Sequence, residues 1–233
     1  MNLIKHLSKS GYDLIDGPIR NHQPLQLWLK QGANRPELYF DHISQVFKGP
    51  YDLTLDEDPT LNVEATHQVE HDFALGLAVL KELMQAIGGT PFDISTGIQT
   101  GQKISIKYKN AYTASVTIGQ LTSYLSESSI EGVSENFMHH LNSNQVLLIT
   151  GVVFAKQLVM DVSTDRDIDV GWVAKLQAAK DPKLSFSLEN KRQLKMTTNG
   201  TKEFPVAIKA SRLDFDQRKF KGMRLVTDNR NFF

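Results

Sequence analysis

Between Gln102 and Ile118 apolar and polar residues alternate almost without a break, and this stretch limits more than any other what the chain can fold into. Ile104, Ile106, Tyr108, Tyr112, Ala114, Val116 and Ile118 hold the even positions, while Lys103, Ser105, Lys107, Lys109, Thr113, Ser115 and Thr117 hold the odd ones. Successive side chains of a strand point to opposite faces. The spacing therefore predicts one long strand, or two joined near Asn110, with an oily face and a basic, hydroxyl-rich face. Two readings of such a strand stand side by side: the half-buried strand of a soluble sheet, and a strand that also meets lipid, since about 9 to 11 tilted residues cross a bilayer's hydrocarbon core.

A second alternation runs from Lys183 to Thr197, with Leu184, Phe186, Leu188, Leu194 and Met196 set against Ser185, Ser187, Glu189, Lys191 and Lys195. Asn199-Gly200 is a hairpin-turn signal, after which Phe204, Val206 and Ile208 form a returning strand. Val146 to Val162 is almost continuously apolar and reads as a central strand covered on both faces. Shorter extended pieces are expected at Tyr12–Ile15 and Pro24–Leu29, a further strand or mixed segment at Glu37–Val46, and a surface loop at Lys48–Pro59 around Asp56, Glu57 and Asp58. Helices are expected near Leu3–Leu7, ending at Ser10-Gly11, and at Leu121–Leu125, Ser134–Leu141 and Asp169–Ala179. The longest predicted helix carries Val69, Phe73, Leu77, Leu80, Met84 and Ile87 at steps of three and four, closed by Gly88-Gly89 and Pro91. Strands that return by hairpins, with helices attached, define an α+β class with a mainly antiparallel central sheet.

Composition bounds the function. The 233 residues, 40% of them hydrophobic, suffice for one large or two small domains with a sizeable core. Lys plus Arg and Asp plus Glu are balanced at 26 each, so no net field argues for nucleic-acid binding. With no cysteine, disulfides, thiolate metal sites and thiol catalysis are excluded together, and an intracellular setting fits. The N-terminus lacks the apolar core of a signal peptide. No window approaches the roughly 18 uninterrupted apolar residues of a spanning helix, whereas a barrel of amphipathic strands stays open.

One motif could carry catalysis. His67, Glu70 and His71 match the H-x-x-E-H pattern of inverted zinc proteases, and on a helix the two histidines would share a face with Glu70 as general base. The alternative is a solvated helix face, since no third ligand stands out downstream. His139-His140 points in two directions on a helix and makes a poor ligand pair. There is no G-x-S-x-G elbow, Walker loop or dinucleotide fingerprint, so no catalytic residue, metal or cofactor is assigned.

The basic residues say more by position than by number. Lys103, Lys107 and Lys109 share one strand face, and Lys183, Lys191 and Lys195 share the same-parity face of the second alternation. Both are solvated faces of a sheet or surfaces for anionic headgroups, where each Lys is worth about 1 kcal/mol. The aromatic and basic interleaving of an RNA-reading sheet is absent. Last, the segment 216–233 is basic yet carries Phe220, Met223, Leu225, Val226, Phe232 and Phe233, more apolar surface than a solvated tail holds. It is expected to dock on the body, with Arg218 and Arg224 open to proteases.

The order of these features resembles the bacterial gasdermins. The resemblance rests on Ile4 through Ile15, Pro24-Leu-Gln-Leu27, Lys103 through Ala111 running into Val116-Thr-Ile118, and Leu121 to Leu125. In the second half it rests on Val146 to Thr150, Asp169-Val-Gly-Trp172, Lys183 to Ser187, Phe204 to Ala210 and Leu213 to Asp216. It implies a twisted sheet of the gasdermin N-domain type, residues 1–216, held inactive by a C-terminal peptide, residues 217–233, that lies across it. Phe220, Met223, Leu225, Val226, Phe232 and Phe233 would make the inhibitory contacts. A caspase-like or trypsin-like protease would cut near Arg218 or Arg224 and convert a cytoplasmic monomer into an oligomeric β-barrel pore in the inner membrane, killing the infected cell. The lipid face would draw on Ile104, Ile106, Tyr108, Tyr112, Val116, Ile118, Leu184, Phe186 and Leu188, within inserting segments of roughly 90–118 and 152–197. One departure stands out. Members of this family commonly carry a palmitoylated cysteine near the N-terminus, and positions 2 to 6 here are Asn, Leu, Ile, Lys and His. Either membrane affinity comes from the basic faces alone or this branch differs.

Overall fold

The computed structural model describes residues 3–15, 21–32, 36–59, 68–72, 101–178, 184–198 and 203–227. Its axis is β9 (Val146–Thr164), a 19-residue strand whose first ten residues are all buried. Along one edge runs β7 (Gly101–Ser115), paired antiparallel from Gly101 opposite Thr164 to Ser115 opposite Gly151. The short β2 (Leu27–Leu29) continues that edge, pairing with Val146 to Leu148, and carries β3 (Glu37–Phe40) on its far side. The other edge of β9 holds β11 (Gln193–Thr198) opposite Val159 to Ser163, then β12 (Phe204–Asp216) opposite Leu147 to Ala155. The continuous apolar run thus becomes the strand with neighbours on both edges and side chains buried on both faces, as such runs require.

Outer strands complete the sheet. β5 (Asp56–Asp58) and β6 (Gln68–Asp72) pair with β7, β10 (Leu184–Asn190) pairs with β11, and β1 (Asp13–Leu14) and β13 (Lys219–Leu225) pair with β12. A separate two-stranded ladder joins β4 (Phe47–Lys48) to β8 (Ser129–Ile130). Among the described residues four α-helices attach: α1 (Leu3–Lys9), α2 (Ile118–Glu127), α3 (Glu135–Asn142) and α4 (Val170–Ala178). Their starts follow local chemistry. Thr117 and Ser134 cap α2 and α3 by accepting the Gln120 and Phe137 amides, and α1 stops where Gly11 takes φ +78°.

The alternating stretches and the apolar axis are strands as expected, and the helices at Leu121–Leu125, Ser134–Leu141 and Asp169–Ala179 are present. Five expectations are corrected. Gln68–Asp72 is a strand on the edge of β7, not the start of a long helix, because that edge offers a row of unpaired backbone groups. The remainder of the expected helix lies outside the described residues. The acidic triplet Asp56–Asp58, expected in a loop, is likewise a strand on β7. Lys183–Thr197 is not one strand but the hairpin β10–β11, turning at Lys191-Arg192, where the Asn190 carboxamide oxygen accepts the Arg192 amide at 2.9 Å. β11 and β12 do not pair with each other across Asn199-Gly200, which lies outside the described residues; they lie in tandem along β9. Finally, β7 ends at Ser115, so Val116 follows the strand and Ile118 opens α2.

Candidate functional site

The apolar stripe of β7 is not continuous. Ile104, Ile106 and Tyr108 pack in one cluster with Val153, Ala155, Leu158, Met160 and Val162, whereas Tyr112 and Ala114 pack in another with Val152, Phe154 and Ile208. Val152 and Val153 are neighbours on one strand and face opposite ways, so the two clusters lie on opposite sides of the sheet. The oily face therefore changes sides in mid-strand. The change falls at Asn110, whose φ is +51°, between the register pairs Lys109 with Gln157 and Ala111 with Ala155. Asparagine is among the few non-glycine residues that tolerate this backbone. In this sheet the apolar residues of β7 thus occupy two half-strand faces instead of one. Val116, 5% exposed, joins a third cluster under α2 and α3, and Ile118 is 47% exposed at the start of α2, outside the sheet.

The first half-face has company. Leu184, Phe186 and Leu188 of β10 and Leu194 and Met196 of β11 join the same cluster as Ile104, Ile106 and Tyr108. Two stretches about eighty positions apart thus meet in one apolar layer, beneath Trp172 and Val173 of α4 and Leu7 of α1.

Acidic partners accompany two of the basic positions. Lys107 Nζ lies 3.1 Å from Asp161 Oδ2, and Lys195 Nζ lies 3.6 Å from Glu189 Oε1. All four side chains are substantially exposed, so these pairs contribute little to stability. Lys109 is exposed, Lys103 stands in register opposite Ser163 and Asp72, and Lys191 sits in the β10–β11 turn instead of on a strand face. Lys183 lies outside the described residues. Asp161 was hidden because it interrupts a run otherwise read as apolar; the charge-bearing position in that run was its only signal.

A polar latch sits where the face changes. The Tyr112 hydroxyl donates to Glu203, whose other oxygen is 3.7 Å from Lys156 Nζ, and that ammonium stands 5.1 Å from the Tyr112 ring centroid. Burial, then the Glu203 carboxylate, push the Tyr112 hydroxyl well above its usual range.

The tail closes this side of the molecule. Gln217 (φ +46°) and Arg218 (φ +68°) form a two-residue turn of the kind that joins tight hairpins, and β13 folds back along β12 from Asp216 opposite Lys219 to Ser211 opposite Leu225. These residues extend the sheet in its own plane. Phe220 stacks edge-on to Phe215 at 5.4 Å, and both Phe220 and Met223 pack under α2 and α3. Leu225 is partly exposed, while Val226 enters the cluster of Tyr112, Phe154 and Ile208. Thr227 ties the end down: its hydroxyl donates to the Gly11 carbonyl at 2.7 Å and accepts the Ala210 amide at 3.1 Å. Arg218 is exposed at the turn, donating to the Ile130 carbonyl at 3.2 Å, whereas Arg224 lies within the ladder opposite Arg212. Phe232 and Phe233 lie outside the described residues.

The zinc-peptidase reading loses its premise, since Glu70 and His71 occupy consecutive strand positions and His67 lies outside the described residues. Among the described residues no three His, Asp or Glu side chains gather as a metal site would need, and no helix is long and apolar enough to cross a membrane.

A mainly antiparallel sheet built on the long strands β7 and β9, with helices packed against it and the strand β13 folded back along β12, defines a gasdermin-like protein. The chain belongs to the bacterial gasdermin family: the profile described as "Bacterial Gasdermin Family" matches residues 15–222. It is 20% identical over 226 residues to a gasdermin, bGSDM, of Lysobacter enzymogenes, covering 94% of this chain and 83% of that protein. It is also 20% identical over 217 residues to the bGSDM of Gillisia limnaea, covering 92% and 82%. Its fold matches a solved bacterial gasdermin from Bradyrhizobium tropiciagri with a TM-score of 0.54 at 14% identity, over 96% of this chain and 90% of the other. Gasdermins are pore-forming proteins and not enzymes.

Proposed function

We propose that this chain is the resting precursor of a membrane pore, a cytoplasmic monomer held inactive by residues 217–233 and released when a caspase-like or trypsin-like protease cuts near Arg218. The released body, residues 1–216, oligomerises on the inner membrane and kills the infected cell as a defence against phage. The observation that carries this reading is the length and pairing of β7 and β9: 15 and 19 residues, against the roughly 9 to 11 that cross a bilayer as a tilted strand. The hairpin β10–β11, with 7 and 6 residues, would have to lengthen on insertion. Its apolar residues already share a layer with Ile104, Ile106 and Tyr108, so one movement that uncovers this layer presents both segments to acyl chains. Lys103, Lys107, Lys109, Lys183, Lys191 and Lys195 would meet anionic headgroups or the aqueous lumen.

The tail's position supports its role as the lock. Phe220, Met223 and Val226 are packed against the body, and burying such side chains contributes about 1.5 to 3 kcal/mol each before ordering entropy is deducted. Cleavage turns a tethered strand into one that must rebind from dilute solution, which favours its loss. Limited trypsin treatment that cuts at Arg218, followed by dye leakage from anionic liposomes, tests the proposal. Leakage with a shift to large oligomers is expected; a trimmed protein that stays monomeric beside sealed liposomes overturns it.

A further inference from the structure

The ladder between β12 and β13 sets two arginines on one face of the sheet, since Arg212 and Arg224 are directly opposed partners. Like charges in that relation destabilise a ladder unless something stands between them. Neither arginine belongs to any ion pair among the described residues, and the nearby acids are engaged elsewhere. Asp216 pairs with Lys221 at 3.5 Å, and the Asn144 amide, in the orientation its neighbours require, donates to Asp214 Oδ1 and to the Leu213 carbonyl, each at 3.3 Å. Arg212 Nε is buried without a hydrogen-bond partner, an expensive state for a charged donor.

Both arginines line a cleft of about 270 Å³ together with Asn144, Asp214, Gly222 and Met223. Gly222 keeps it open: it stands opposite Asp214, and a Cβ built there meets nothing within 4 Å. We propose that this cleft binds a phosphate-type oxyanion that bridges Arg212 of the body and Arg224 of the tail strand. Two guanidinium forks ask for more acceptor oxygens than one carboxylate supplies, and a tetrahedral phosphoryl group can face both at once. With Asp214 in the lining, the local balance is one positive charge, which a bound anion neutralises.

The site exists only while β13 lies on β12, so a bound anion opposes loss of the tail. At ten times its dissociation constant the release equilibrium shifts about elevenfold toward the closed state. That regulatory consequence rests on the tail being the lock; the binding itself does not.

Titration of the full-length protein with inorganic phosphate at fixed ionic strength, followed by calorimetry and thermal midpoint, tests the site. Saturable heat and a rising midpoint are expected, with affinity lowered about tenfold or more in Arg212→Gln. Gly222→Val, which fills the cleft from an open position, should lose the same binding with an unchanged circular dichroism spectrum, so a misfolded arginine variant leaves the site testable. A second arm compares sedimentation with vesicles of phosphatidic acid and of phosphatidylcholine alone. Phosphate binding in solution assigns a diffusible anion, and Arg212-dependent capture by phosphatidic acid alone assigns a lipid phosphomonoester; either supports the site. If neither probe distinguishes wild type from Arg212→Gln and Gly222→Val, the site is refuted. Leakage by trimmed protein with neither probe bound in an Arg212-dependent way removes the site and leaves the pore reading standing, and the reverse result does the opposite.

Discussion

At the scale of single residues, Gly49 shows how little room the packing under α2 allows. A Cβ built there would stand 2.2 Å from Tyr124 Cε2, and the ring cannot retreat, because its hydroxyl donates to the Phe47 carbonyl at 2.7 Å and Tyr51 packs edge-on against it. Gly49→Ala should therefore destabilise the protein by about 1–3 kcal/mol, read as a lower midpoint in urea with an unchanged slope. Tyr112 gives a second residue-scale expectation. Its folded-state pKa lies above the ordinary value of 10.0, so its contribution to stability is complete below about pH 10 and is lost as the pH climbs beyond it. The stability difference between wild type and Tyr112→Phe should stay flat from pH 6 to 9 and shrink above about pH 10 in denaturant titrations. Neither contact is visible in the sequence. Gly49-Pro50 announces a turn but not the ring pressed against it, and Glu203 is 91 positions from Tyr112.

At the scale of elements, alternation identified β7 and the β10–β11 region, and unbroken hydrophobicity identified β9, because burial of strand faces writes those periods directly into the chain. The same signals hid three features. The turn at Lys191-Arg192 spans two residues and leaves the even-odd parity of Leu188 and Leu194 intact, so a hairpin reads as one strand. Val69 fitted a helical period, yet the register that sets Asp72 opposite Lys103 and Gln68 opposite Lys107 is a property of the β7 edge, not of the segment itself. Asn110 kept its place in an even-numbered series while its backbone turned the strand's faces over. A β-branched residue there pays the left-handed penalty in full: Asn110→Val should cost about 1–2 kcal/mol, whereas Asn110→Gly should stay within about 1 kcal/mol of wild type. Equal midpoints for the two variants would show that the positive φ is not required.

At the scale of the whole molecule, the candidate site is a meeting of segments, and that meeting was the least legible part. Ile104 and Leu184 each read as apolar strand positions, but nothing in either stretch says that they share a layer; β9 and β11, lying between them, decide it. The tail was legible as apolar and not as a strand, because Lys219, Lys221 and Arg224 break up its pattern. If the tail is the lock, charge at its end should undo it: Phe232→Asp with Phe233→Asp should make the uncut protein leak dye from anionic liposomes, and sealed liposomes would show that these two residues hold nothing shut.

The bond from Thr227 to Gly11 joins groups 216 positions apart, and β1 waits for Ala207 and Ile208 before it has a partner. During synthesis, then, β1 emerges long before Ala207 and Ile208 and stays without its mate until they have been made. At about 5–20 residues per second the ribosome adds residues 217–233 in roughly one to three seconds, a span in which a β-rich domain dominated by distant pairings can still be searching for its fold. β13 is thus made in time to join the sheet as it forms. A message broken upstream of that strand would yield a body with no strand to fold back along β12 and, if that strand is the lock, a body with nothing to hold it closed.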